Sequence, residues 1–136
     1  MKFASVVFYI AGVWGVLLLI PLYFLFDITG RTFPPPITHA EFYYGFLSVT
    51  LAWQIAFLVI ATDPPRYRLI MPAAILEKLG YVVTLIVLYE RGLLQLGQVA
   101  PAVPDLILGI LFITAFFKTS GPADLYRHTN SPAGKR

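Results

Sequence analysis

Apolar residues in this chain come in long unbroken runs, with no amphipathic alternation to mark a soluble fold. Residues 3–26, FASVVFYIAGVWGVLLLIPLYFLF, carry no charge. Residues 42–62, FYYGFLSVTLAWQIAFLVIAT, carry none either. A helix needs about 20 apolar residues to cross a bilayer, so both runs predict spans. A third span is predicted over about 69–89, starting at Leu69 or at Pro72, since proline is tolerated in a first turn. A fourth is predicted over about 102–119, roughly 27 Å long at 1.5 Å per residue. Asp105 then falls in its first turn, where the helix dipole favours an anion.

The intervening stretches are rich in helix breakers. Residues 27–41 hold Gly30 and Pro34-Pro35-Pro36 and read as a stiff linker. Asp63-Pro64-Pro65-Arg66 ends the second run and leaves a short link, which predicts an antiparallel hairpin of spans two and three. Residues 92–104 form a mildly apolar connection. Pro21 predicts a kink in the outer third of the first span. The first run reads as a span and not as a signal peptide, because it exceeds an h-region and no small-x-small site follows. The expected organisation is an all-α bundle of four transmembrane helices over residues 1–120, with a flexible polar tail over 121–136.

Composition agrees: the 136 residues are 58% hydrophobic and 12% charged, with a mean hydropathy of +0.76. Soluble domains carry roughly 25% charged residues. The chain has no cysteine, which excludes disulfides, thiolate metal sites and cysteine nucleophiles. Net charge is +3, and its distribution is asymmetric. Seven of the ten basic residues (Lys2, Arg66, Arg68, Lys118, Arg127, Lys135, Arg136) fall on the side of the termini, and Arg31 and Arg91 on the other. The positive-inside rule then places both termini in the cytoplasm of a cell (inner or plasma) membrane protein.

The tenth basic residue, Lys78, lies inside the third span beside Glu77. On a helical wheel Glu77 shares a side with Ala73, Ala74, Gly80, Tyr81 and Thr84. Small residues favour close helix approach, so that side is expected to face the bundle. Lys78 shares its side with Met71, Ile75, Val82, Leu85 and Tyr89, expected to face lipid with the lysine reaching toward headgroups. Glu77 and Gln54 each lie nine residues from a flanking polar residue, Arg68 and Asp63. That puts both roughly 13 Å into the membrane. Trp14, Trp53 and Tyr81 fall within about a turn of the same level. Tryptophan ordinarily prefers the interfaces, so this group suggests a cavity for a hydrophobic ligand, with Trp14, Trp53, Gln54, Glu77 and Tyr81 as ligand-binding candidates. The competing reading has Glu77 neutral, or paired with Gln54, Trp53 or Arg68, locking the hairpin.

No other pattern carries chemistry. His39 and Glu41, with Asp27 and Asp105 on the same side, offer only a generic H-x-E spacing, and no metal is expected. Ser5, Ser48 and Thr50 have no histidine within helical reach. There is no phosphate loop or dinucleotide fingerprint, and no cofactor is expected. Basic residues at 118–136 are too scattered for nucleic acid and suit anionic headgroups.

Residues 63–81, DPPRYRLIMPAAILEKLGY, with YYGF and WQIAF before them, resemble a class of small uncharacterised bacterial integral membrane proteins with four helices. That resemblance implies the fold and no activity. A fainter one is to the emopamil-binding (EXPERA) four-helix core. There, an aspartate ending helix 1 and a carboxylate and glutamine on helix 2 face a sterol-sized cavity. Asp27 after IPLYFLF and Gln54 in WQIAF match, but Thr50 stands where the helix 2 carboxylate would be. The family's isomerase chemistry and amine binding are therefore not carried over. The leading functional expectation is a non-enzymatic accessory or assembly subunit of a membrane complex. The alternative is a binder or carrier of a lipid, quinone or isoprenoid in a pocket near Glu77. The implied partners are the bilayer, a hydrophobic small ligand, and other copies or other subunits.

Overall fold

The computed structural model describes residues 2–33 and 36–119; the predicted tail over 121–136 lies outside them. The described chain is helical: α1 (Lys2–Leu22), α2 (Phe26–Thr32), α3 (Ala40–Thr62), α4 (Met71–Glu90), α5 (Leu96–Val99) and α6 (Ala102–Lys118). Four segments are long and apolar enough to cross a membrane, at Lys2–Leu22, Ala40–Thr62, Arg68–Glu90 and Leu96–Lys118. The chain thus has the architecture of a multi-pass four-helix bundle. Because α6 has only 17 residues, the last span includes α5 in front of it.

Helix limits follow local chemistry. Pro21 comes one residue before the end of α1, after which Tyr23, Phe24 and Leu25 bond three residues back, to Ile20, Pro21 and Leu22. Proline lacks the N–H that would bond Leu17, so the helix unwinds into a turn and restarts as α2. The expected linker over 27–41 is therefore partly helical, with Asp27 in the first turn of α2 and Arg31 in the last, each favourable to the helix dipole. Gly30 is accommodated inside that short helix, buried beneath Ile37 and Pro36. Pro72 sits in the first turn of α4, as expected, behind a 3-10 turn at Arg68–Ile70. Gly92 ends α4 with φ +72°, the left-handed conformation that glycine adopts without strain.

The helices form an arc. α1 packs along α3 and on α6, and α6 packs along α4, whereas α3 and α4 barely touch. Spans two and three, joined by the short link that predicts an antiparallel hairpin, thus pack little against each other directly. At the Lys2 and Lys118 end the centre is aromatic. Phe8, Phe57 and Phe112 are fully buried, with ring centroids 4.2 Å apart for Phe8–Phe112 and 5.0 Å for Phe57–Phe112. Ala4, Ala11, Ala74 and Ala115 fill the space around them. Without hydrophobic driving force in lipid, such close packing supplies much of the association energy. At Gly12 a Cβ would lie 2.9 Å from the Gln54 carbonyl oxygen, so α1 and α3 approach backbone to backbone.

Both ends are tied by polar contacts. The Arg68 Nε donates to the Thr119 carbonyl at 2.7 Å and its guanidinium lies 4.0 Å from the Phe116 ring centroid. This caps the end of α6 from the α3–α4 link. At the other end the Tyr43 hydroxyl donates to the Leu22 carbonyl at 2.8 Å, and Phe26 stacks on Tyr44.

The aromatic centre makes a direct prediction. Phe112→Ala removes a ring touching two others and is expected to cost on the order of 3 kcal/mol, read as unfolding in mixed micelles. Phe117→Ala, at an exposed ring, is expected to leave the midpoint unchanged within error.

Candidate functional site

α1 and α6 meet at the aromatic end, and beyond it the helices line a partly open cavity of about 480 Å³. That lies within the roughly 300–1,000 Å³ of small-molecule sites. α1 contributes Ala11 through Leu22, α3 Phe46 through Gln54, α4 Glu77, Lys78 and Tyr81, and the last span Pro101, Pro104, Asp105 and Leu108. All five sequence-predicted residues, Trp14, Trp53, Gln54, Glu77 and Tyr81, line it.

Its polar end is built by α4 and α6. Lys78 Nζ lies 3.0 Å from Asp105 Oδ1 and 3.3 Å from Glu77 Oε2, with the lysine side chain 6% exposed. The Glu77 contact has ion-pair distance without hydrogen-bond geometry, and Glu77 Oε2 is buried with no hydrogen-bond partner. Lys78 also sits 5.5 Å from the Phe57 ring centroid, at the boundary between cavity and aromatic centre.

Only part of the predicted orientation of α4 holds: Ala74, Glu77 and Tyr81 face inward as expected, but the Lys78 side, expected to face lipid, is buried as well. The buried residues of α4 are Met71, Ala74, Lys78, Val82 and Leu85, whereas Ala73 and Thr84 are exposed. Lys78 does not reach for headgroups because Asp105, on α6, gives it an interior counter-charge. Glu77 pairs with its sequence neighbour and not with Gln54, Trp53 or Arg68. Adjacent helix positions project about 100° apart, so the contact depends on the long lysine stem bending across.

Gln54 is 2% exposed and donates Nε2 to the Thr50 carbonyl at 3.0 Å within its own helix. Its carbonyl end lies against Gly15, where a Cβ would collide with the Gln54 side chain. Gly15 is thus the vacancy that admits the glutamine. Trp14 retains 54% exposure and Trp53 is half-buried against the aromatic centre. Phe46 on α3 and Tyr81 on α4 face each other across the cavity, with ring centroids 6.1 Å apart.

Sequence reasoning missed Lys78, Asp105 and Gly15 as parts of this site. The first two were legible as charges close to apolar runs, but their partnership is a contact across 27 residues of chain. Asp27, matched to a cavity aspartate by the EXPERA resemblance, is exposed in α2 and does not line the cavity. His39 and Glu41 pair with each other at 3.1 Å on the surface. Among the described residues no three His, Cys, Asp or Glu side chains group as metal ligands.

The chain matches no protein-family model, no curated protein and no solved structure.

One stability prediction follows from the charge count and another from the packing at Gly15. Lys78→Met strands two partly buried carboxylates and is expected to cost on the order of 3 kcal/mol, whereas Glu77→Gln leaves one balanced Lys78–Asp105 pair and is expected to fold as stably as the parent. Equal losses for both would show that the ion cluster is not what holds α4 to α6. Gly15→Ala is expected to lower the thermal midpoint by forcing Gln54 out of place, while Gly45→Ala, facing open space, is expected to leave it unchanged or raise it.

Proposed function

We propose that this chain is a multi-pass protein of the cell (inner or plasma) membrane that binds or carries a hydrophobic ligand, such as a lipid, quinone or isoprenoid, in the cavity beside Glu77. One observation carries this reading: an apolar, aromatic-walled cavity with a few convergent polar groups, the usual make-up of a small-molecule site. Intramembrane ionisable residues that face a cavity are by default functional candidates. The described loops are short, so recognition at membrane depth suits this chain better than work in the aqueous phase.

The accessory-subunit reading has its own support. Ala73 and Thr84 on α4 are exposed, and nothing surrounds a Cβ built at Gly80 between them. A small-residue face of this kind suits close approach of another transmembrane helix.

Purification in mild detergent followed by native mass spectrometry separates the two. The ligand reading expects a retained small mass, lost in Thr50→Phe, which fills the cavity while keeping the backbone carbonyl that Gln54 uses. A bare chain, or one bound only to another polypeptide, would overturn it in favour of the subunit reading.

The orientation that we propose, with both termini cytoplasmic, rests on the distribution of basic residues. Since the chain has no cysteine, single cysteines report cleanly. A membrane-impermeant maleimide is expected to label Thr32→Cys in intact cells and Arg66→Cys only after permeabilisation. The reverse pattern would invert the topology.

A further inference from the structure

α1 and α3 form a second hollow, nearer the Lys2 end and on the outer surface of the bundle. It is an open groove of about 500 Å³, lined by Ser5, Val6 and Tyr9 on α1 and by Leu58, Ala61 and Thr62 on α3. None of these residues lines the cavity. Val6 and Tyr9 are more than half exposed, and the lining is largely apolar, so hydrocarbon fills the groove in a membrane.

The groove runs toward a basic end. Lys2, Ser5, Val6 and Tyr9 follow one helical stripe, at i, i+3, i+4 and i+7. Lys2 therefore stands about one turn below the lining. On α3 the lining ends at Thr62, the last helical residue, and Arg66 follows four residues later. Lys2 and Arg66 are both exposed. The other two basic residues of this end are engaged. Arg68 caps the Thr119 carbonyl, and Lys118 Nζ lies 4.7 Å from the Phe3 ring centroid. Asp63, the acid that stands here among the described residues, accepts the Arg66 backbone N–H at 3.4 Å. Four basic side chains against one carboxylate leave this end positive. The opposite end, with Asp27, Arg31, Glu41, Glu90 and Arg91, is net negative.

Groove and charge together fit one kind of amphiphile. Hydrocarbon suits the lining, and an anionic head suits the two basic residues at its foot. Each basic residue near a membrane surface favours an anionic lipid about fivefold. A zwitterionic head carries its own ammonium and gains little. We infer that this groove binds an anionic glycerophospholipid of the leaflet at the Lys2 end, with an acyl chain between α1 and α3 and the phosphate held by Lys2 and Arg66. The site is separate from the cavity and does not rest on the reading of the cavity as a ligand site. In the proposed orientation that leaflet is the cytoplasmic one, whose anionic lipids attract basic residues beside a span.

The test weighs the full chain by native mass spectrometry after mixing it in mild detergent with equal amounts of phosphatidylglycerol and phosphatidylcholine of the same acyl chains. The chain is expected to retain one phosphatidylglycerol in preference to phosphatidylcholine by about twentyfold. Lys2→Gln and Arg66→Gln are each expected to lower that preference about fivefold, while Arg31→Gln and Arg91→Gln at the opposite end leave it unchanged. Ser5→Phe and Ala61→Phe fill the groove from different helices and keep every charge, and both are expected to lose the lipid at unchanged helicity. Equal retention of the two lipids, or none of either, overturns the inference. So does phosphatidylglycerol that persists in both filled grooves, which marks diffuse attraction to the basic end. A lipid lost in Thr50→Phe but kept in Ser5→Phe and Ala61→Phe lies in the cavity and overturns the groove site while leaving the cavity reading intact.

Discussion

The ammonium of Lys78, held between carboxylates of its own helix and of α6, is the interaction on which the arrangement of this bundle turns. A lysine in a span has two ways to avoid the cost of burial: extend to the interface, or find a counter-charge inside. Asp105 supplies the second. Once it does, the α4 face bearing Met71, Ala74, Val82 and Leu85 must turn inward with the lysine. α4 is then committed to α6 and leaves α3, its neighbour in the chain, almost untouched.

That commitment divides the bundle lengthwise. Toward Lys2 and Lys118 the helices close on Phe8, Phe57 and Phe112, with alanines allowing the rings to stack. Toward α2 and α5 the helices part, because the polar cluster and the bulky Trp14, Trp53 and Tyr81 cannot interlock as the phenylalanines do. The hollow half needs external support, and the chain provides it at the rim. Tyr43 reaches the end of α1, and Phe26 stacks on Tyr44. A firm base beneath a preformed hollow suits recognition, since little ordering is then left to be done when a ligand arrives.

Much of this was legible in the sequence. Four apolar runs announce four spans, and the limits of α3, α4 and α6 fall within a few residues of those expected, since proline, glycine and charge mark them. Counting residues inward from flanking charges brought Trp14, Trp53, Gln54, Glu77 and Tyr81 to a common depth, and they do line one cavity. The inward turn of the Lys78 side of α4 was not legible. A helical wheel weighs each residue by its own chemistry, and by that measure a lysine faces out and small residues face in. Only Asp105, on another helix, turns the lysine inward. The restart of the chain as α2 was hidden for a related reason: Gly30 counts as a breaker until Ile37 and Pro36 are seen folded over it.

The distance along the chain between Lys78 and Asp105 also has a meaning in time. A ribosome delivers α4 to the membrane before α6 exists, so Lys78 enters with Glu77 as its sole acidic neighbour. Its second partner emerges 27 residues later. The cap that Arg68 places on the Thr119 carbonyl waits still longer, for the last residue described here. The polar centre and the seal at the base are therefore both finished by the final span. Until that span is in place, α4 carries a marginal charge pair into lipid, and a nascent chain halted before residue 105 would hold Lys78 with only half of its counter-charge.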